Sequence, residues 1–218
     1  MKNNTNVLVS KLFAEAQRYI ENASSHPEIQ KKMSQNGFTP KRYLEGRAFL
    51  DAARAMQIEK HQKYGEKQDI ASQIREDVRM ARQQFMEHVA ITKFAFRKMP
   101  STLEKFNVRL TSRKIEAWLL QASEFYRTAA LYSDKLSPHG LSAEEISQSA
   151  ATIEALSASR NQRIMKKGDA EEATRLRDQS LKALRIWMQD FRGIAKVALR
   201  DTPQLLEVLG MVVKTQKV

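Results

Sequence analysis

The feature that most constrains this chain is an internal repeat, the first thing to look for because a missed repeat changes the whole fold. When the 218 residues are aligned with themselves at a shift of 103, residues 7–111 match 110–214 without a gap. Of the 105 pairs, 19 are identical, whereas about 6 or 7 are expected by chance at average residue usage. The chain breakers coincide in three pairs: Gly37 with Gly140, Gly65 with Gly168, and Pro100 with Pro203. We therefore predict two helical repeats, 1–109 and 110–218.

The predicted fold class is all-α. Only seven Gly and five Pro interrupt the chain, which favours long helices. Strand patterns with tight hairpin turns are absent, and the one Asn-Gly pair, Asn36-Gly37, falls between helical patterns. The prediction is an antiparallel helical bundle of two tandem repeats of about 103 residues, forming one compact or two-lobed unit.

Each repeat carries its own helix signals. A first helix over about 7–23, or about 110–130 in the second copy, precedes a short helical piece that ends near Ser34 or Ser137. Gly37 and Gly140 are predicted to end it with a positive φ. The next helix starts at Thr39-Pro40 in one copy and at a capping box of Ser142 and Glu145 in the other. Hydrophobic staples flank both starts, Phe38 with Tyr43 and Leu141 with Ile146.

The long helical segments are predicted to fold into hairpins. A helix from Pro40 is expected to stop near Lys63, and a second helix is expected to begin after Gly65, which gives an antiparallel pair. In the second copy, Gly168 is expected to separate two helices in the same way. The second helix of the first pair shows one buried stripe with helical spacing, namely Ile70, Ile74, Val78, Ala81, Phe85, Val89, Thr92 and Phe96.

Composition excludes several function classes. The chain has no cysteine, which removes disulfide frameworks, thiolate nucleophiles and cysteine-ligated metals. Phosphate-binding glycine loops, a nucleophile elbow and a Glu-x-x-His metal signature are also missing. No run reaches the roughly 20 apolar residues of a membrane helix, and Ser10 and Lys11 break the first apolar stretch. We predict a cytoplasmic, non-enzymatic protein without a metal or cofactor.

Histidines and aromatic residues are interpreted as structural. His88 and His61 align with Phe191 and Ile164 of the other copy, so both are expected to be packing positions. The aromatic residues of the second repeat occur at helical-face spacings and are expected to pack against one another: Trp118, Phe125, Tyr126, Trp187 and Phe191. Asp51 and Glu154 flank buried positions and are the candidate buried polar pair, which would serve a small-ligand or metal-binding bundle.

The charge is the one global anomaly. The chain carries 37 Lys and Arg against 25 Asp and Glu, a net charge of +12. Basic residues concentrate near the predicted hairpin tips, which gives a candidate basic patch: Lys60, Lys63, Lys67, Arg160, Arg163, Lys166 and Lys167. They recur along Arg175, Arg177, Lys182 and Arg185. Such a surface suits phosphates, although no stacking aromatics or nucleic-acid motif accompany it.

The C-terminal segment resembles a family of bacterial all-helical proteins. The resemblance rests on residues 186–213, IWMQDFRGIAKVALRDTPQLLEVLGMVV, with Gly140–Glu145 and the Lys167-Gly168-Asp169 turn. Members of this uncharacterised family share an internal duplication and a WxxDFRxIAxxALRDxPQLLExLG-like ending. The first repeat lacks the Trp and the Asp-Phe-Arg over 84–110. The resemblance implies an all-helical fold and assigns no activity, cofactor or catalytic residue.

The leading functional hypothesis is a non-enzymatic bundle that binds a macromolecular partner. The favoured partner is a protein whose identity the sequence does not indicate. Electrostatic, sequence-nonspecific nucleic-acid binding is the alternative from another class. A homodimer is compatible with two similar helix faces, although no heptad seam requires one.

Overall fold

The computed structural model describes residues 2–108 and 114–211, with the backbone alone for residues 2–5. Its elements are α1 (Lys2–Ser25), α2 (Pro27–Gln35), α3 (Pro40–Ala95), α4 (Pro100–Glu104), α5 (Ile115–Leu131), α6 (Ser133–Leu136), a 3₁₀ turn (Ser137–His139), α7 (Ala143–Ala198) and α8 (Pro203–Val208). No strand occurs among these residues. The all-α prediction is therefore confirmed.

Helix boundaries recur at the shift found in the sequence. The bounds of α7 are those of α3 moved by 103 residues, and α4 and α8 both begin at a proline. The residues with positive φ fall into pairs with the same spacing, Gly37 with Gly140 and Asn107 with Gly210. Local backbone conformation thus follows the sequence repeat in the described residues.

The predicted starts of the two long helices are confirmed. The backbone N–H of Ser142 donates to Oε2 of Glu145 at 2.9 Å, and the N–H of Glu145 donates to Oγ of Ser142 at 3.2 Å. This reciprocal pair is a capping box, which satisfies N–H groups that the first helical turn leaves free. In the other copy Pro40 opens the helix, and the rings of Phe38 and Tyr43 lie 5.1 Å apart as a staple.

The predicted hairpins are wrong, because α3 and α7 each run for 56 residues without a break. Gly65 and Gly168 lie inside these helices, neither with a positive φ. One glycine in a helix interior costs about 1 kcal/mol relative to alanine, and no proline stands next to either one. That cost is too small to end a helix whose flanking residues are good helix formers.

The chain divides into two compact units. Unit 1 comprises Met1–Lys63 with Ala170–Val218, and unit 2 comprises Tyr64–Asp169. Each long helix contributes one part to each unit. Within unit 1, Arg42 near the start of α3 pairs with Asp190 near the end of α7 at 3.0 Å.

Unit 1 has a core of stacked aromatic rings. Trp187 and Phe191 of α7 stack with centroids 5.5 Å apart, and Phe38 meets the Phe191 ring edge-on at 5.2 Å. The indole N–H of Trp187 donates to the carbonyl oxygen of Arg42 at 2.8 Å. A Cβ at Gly46 would lie 2.2 Å from the Trp187 ring, so only glycine permits this close approach of α3 and α7.

Unit 2 has its own aromatic core. The Phe85 ring lies 5.1 Å from Phe125 and 6.2 Å from Trp118, and the predicted stripe of α3 is buried except for the partly exposed Ile70. The expectation that Trp118 packs against Trp187 is wrong, since these side chains belong to separate cores. The start and the end of the second repeat fall in different units.

Replacing Gly65 with alanine tests the continuity of α3. We expect Gly65→Ala to raise the free energy of unfolding by about 0.5–1 kcal/mol, because an added Cβ meets no atom within 4 Å and stiffens the unfolded chain. Gly37→Ala is the matched control and should destabilise by about 1 kcal/mol or more, since Gly37 has a φ of +85°. Urea unfolding measures both. A turn at Gly65 would instead make Gly65→Ala destabilising.

Candidate anion-binding surface on helix α7

A row of basic side chains follows one face of α7 in unit 1. We define the α7 basic row as Lys182, Arg185, Gln189, Arg192 and Lys196. Their spacings of 3, 4, 3 and 4 residues place them on one side of the helix. The row contains no carboxylate, and at about 1.5 Å per residue it extends for roughly 21 Å.

Three cations of the row are exposed and form no ion pair within the described residues. Lys182, Arg185 and Lys196 are exposed. Among the residues that the structure describes, no Asp or Glu forms an ion pair with any of them. Like charges on successive turns repel one another, and a polyanion laid along the row would relieve that repulsion.

A shallow groove lies beside the row. Leu12 of α1 and Met188 of α7 line it together with Arg185, Gln189 and Arg192, and its volume is about 330 Å³. Met188 is buried, so the apolar surface at the base comes mainly from Leu12. The groove therefore offers a small apolar contact flanked by two guanidinium groups.

Arg192 is anchored by two side chains of α1. Its guanidinium lies 2.7 Å from Oε1 of Glu15, and its Nε donates to the hydroxyl of Tyr19 at 2.9 Å, while Tyr19 also donates to Glu15. Burial opposes ionisation of Glu15, but the hydrogen bonds from Tyr19 and Arg192 outweigh it and lower the pKa of the carboxyl. Arg192 thus positions the row against α1.

This anchor distinguishes the two copies of the repeat. The positions equivalent to Glu15, Tyr19 and Arg192 are Trp118, Ala122 and Val89, all buried apolar residues of unit 2. Three polar residues have thus exchanged with three apolar ones as a set. A comparison of the two aligned halves could have predicted the Arg192 contact, because all three of its positions change from polar to apolar together. The search for short motifs did not make that comparison.

The corresponding row of unit 2 differs, because Val89 stands at the position of Arg192 and two of its cations make contacts within the unit. Arg79, equivalent to Lys182, pairs with Glu76 at 2.6 Å, and Arg82, equivalent to Arg185, lies 4.9 Å from the centre of the Trp118 ring. Net charge follows the same trend. Unit 1 holds 20 Lys and Arg against 12 Asp and Glu, or +8, and unit 2 holds 17 against 13, or +4.

The sequence-predicted basic patch is divided between the units. Lys60 and Lys63 belong to unit 1, and Lys67, Arg160, Arg163, Lys166 and Lys167 belong to unit 2. Lys166 pairs with Glu66 at 2.7 Å, and Arg160 pairs with Glu116. The helices continue where hairpin tips were expected, and binding by this patch stays a prediction.

The candidate buried polar pair is corrected by the structure. Asp51 and Glu154 are both exposed, and they lie in different units. Each directly follows a buried residue, Leu50 or Ile153, and successive residues of a helix are about 100° apart around its axis. A residue that directly follows a buried one in a helix therefore lies on a different side of the helix, and here both carboxylates face solvent.

Of the four histidines, all of which the structure describes, only His88 is buried. His88 is 6% exposed, and its Nδ1 lies 3.1 Å from the hydroxyl of Tyr126. Burial lowers the pKa of His88 and raises that of Tyr126 to about 12. His61 is exposed beside Gln57, so its predicted packing role is wrong. Over residues 2–108 and 114–211 no three His, Asp or Glu side chains cluster as metal ligands.

Comparisons with protein-family models, with curated proteins and with solved structures find no match to this chain. The resemblance to the bacterial helical family therefore stays a prediction. Among the described helices, none has the length and apolar character needed to cross a membrane.

His88 predicts a pH dependence of stability. Its folded pKa is lowered, so the unfolded state binds the proton more tightly and stability falls as the pH drops through the ordinary range of histidine toward the folded value. We expect His88→Phe, which installs the residue found at equivalent position 191, to reduce the stability lost between pH 7.5 and 5. Thermal unfolding at both pH values measures it.

The hydroxyl of Tyr126 would lose its imidazole partner in this variant, so His88→Phe/Tyr126→Phe provides the control. An equal loss of stability in the wild type and in both variants would contradict the assignment to His88.

Proposed function

We propose that this chain is a non-enzymatic helical-bundle protein that binds a negatively charged macromolecular partner through the α7 basic row. In this proposal the chain is an antiparallel helical bundle built from two tandem repeats of about 103 residues. The matching bounds of α3 and α7 and the paired positive-φ residues support the duplication. The chain's role is to hold a charged helix face in a fixed orientation.

The observation that carries the proposal is the exposed charge of Lys182, Arg185 and Lys196 on one helix face, since Asp178, one turn before Lys182, pairs with Arg177 at 3.2 Å. Exposed ion pairs contribute only about 0–1 kcal/mol each, so a single surface cation does not indicate a binding site. Lys182, Arg185 and Lys196 together present exposed charge on one helix face, without an ion pair to any Asp or Glu that the structure describes. Several weak contacts made at once, on side chains that share one helix, give usable affinity and fast association.

An acidic protein is the first candidate for the partner. The groove beside the row exposes Leu12 between Arg185 and Arg192, and a helix with apolar and acidic residues on one side would complement both features. Nucleic acid is the second candidate, because the same cations suit phosphates. The row carries no aromatic side chain on which bases could stack.

A charge-removal variant tests the row. We expect Lys182→Gln/Arg185→Gln/Lys196→Gln to weaken binding by about 10-fold or more, because three rim contacts of about 0.5 kcal/mol each are lost. Fluorescence anisotropy is measured with a labelled acidic amphipathic peptide, a duplex DNA and a single-stranded RNA, at low and at moderate salt.

The matched control is Arg79→Gln/Lys93→Gln/Arg97→Gln, which removes the same charge from unit 2 and should weaken binding much less. Preference for a nucleic acid, with a salt slope that falls by about 0.9 per lost phosphate contact, would select the second candidate. Equal effects of the two variants, or no binding of any probe at low salt, would overturn the proposal.

A further inference from the structure

Unit 2 contains an open groove between α5 and α7. Its volume is about 380 Å³. Most of the residues that line it are small: Ser123, Ala130, Ser133, Ala143, Ser147 and Ala150. Small side chains let another helix approach closely, since little side-chain volume separates the two backbones.

Several positions of the groove carry larger side chains in unit 1. Arg47 stands at the position of Ala150, Ile20 at that of Ser123, and Tyr43 at that of Ile146. The cavity between α1 and α3 there measures about 40 Å³ and is lined by Arg47 and Ile20 among others. The open groove thus depends on small residues in the second half of the sequence. A single substitution such as Ala150→Arg is expected to close it.

Opposite charges flank this groove. Arg127 of α5 and Glu154 of α7 both line it, and both are exposed. Neither forms an ion pair within the part of the chain that the structure describes. The two charges cancel, so the groove does not select a strongly acidic or a strongly basic partner.

Two large apolar side chains lie on the same face of α5 as Arg127. Leu120 is 64% exposed and Leu131 is 80% exposed, and the spacings to Arg127 of seven and four residues bring all three to one side of the helix. The surface therefore presents both apolar knobs and a groove of small residues. Such a surface can complement a copy of itself.

We propose that a second copy of this chain docks on the α5/α7 groove of unit 2, forming a twofold homodimer. In an isologous interface each contact occurs twice. Arg127 of one protomer pairs with Glu154 of its partner, and the reverse pair forms across the axis. Leu120 and Leu131 of each protomer pack against the small residues of the other groove. This interface is separate from the α7 basic row of unit 1 and does not depend on its function.

Analytical ultracentrifugation of the full chain tests the dimer. We expect a concentration-dependent dimer that predominates by about 200 μM, as it would for any dissociation constant of about 50 μM or below. Ala150→Arg gives the second copy the residue that fills unit 1 and should yield a monomer. Ala151→Arg, at the exposed neighbouring position, is the matched control and should leave the dimer intact.

A charge exchange separates a specific interface from a folding defect. Arg127→Glu and Glu154→Arg should each weaken the dimer by about 5-fold or more, whereas the double variant Arg127→Glu/Glu154→Arg restores both ion pairs and should recover dimerisation. Circular dichroism checks that each variant is folded. A monomer at all concentrations, or a dimer that is unaffected by Ala150→Arg and by the charge exchange, would overturn the proposal.

Discussion

The continuity of α3 and α7 is the constraint on which the rest of the structure depends. Each helix runs for 56 residues and contributes to both cores. In unit 1, Trp187 of α7 packs over Gly46 of α3, and in unit 2 Phe85 of α3 packs against aromatic side chains of α5. Both cores therefore draw on both halves of the sequence. Hydrophobic burial, which dominates folding free energy, joins the halves in each unit.

Local signals in the sequence predicted where the two long helices begin, but not that they continue past Gly65 and Gly168, and they did not predict the long-range packing. The capping box at Ser142 and the positive φ of Gly37 depend on a few adjacent residues, which the sequence displays directly. Gly65 looked equally decisive, but glycine ends a helix only where the flanking residues favour the stop. The separate cores of Trp118 and Trp187 follow from contacts distant in sequence, which helical periodicity does not encode.

The two units differ in complementary ways. Unit 1 has a polar anchor of Glu15, Tyr19 and Arg192 where unit 2 is apolar, and this anchor fixes the α7 basic row beside α1. Unit 2 has Ala150 where unit 1 has Arg47, and its α5/α7 groove is the more open of the two. Neither surface corresponds to a known motif. The sequence had already indicated Lys182 and Arg185, in a basic run with Arg175 and Arg177. Arg175 pairs with Glu172 and Arg177 with Asp178, and the exposed face shared with Arg192 and Lys196 was found only once the helix had been placed.

Mixing the two halves of the chain tests the central claim most directly. Fragments 1–109 and 110–218 are produced separately, and their helicity and thermal unfolding are followed by circular dichroism before and after mixing. Since the α3 part of unit 2 has its core partners on the second fragment, each fragment alone should lack a cooperative transition. The equimolar mixture should regain one and elute as a single complex. A monomeric fragment 1–109 that unfolds cooperatively by itself would contradict this account.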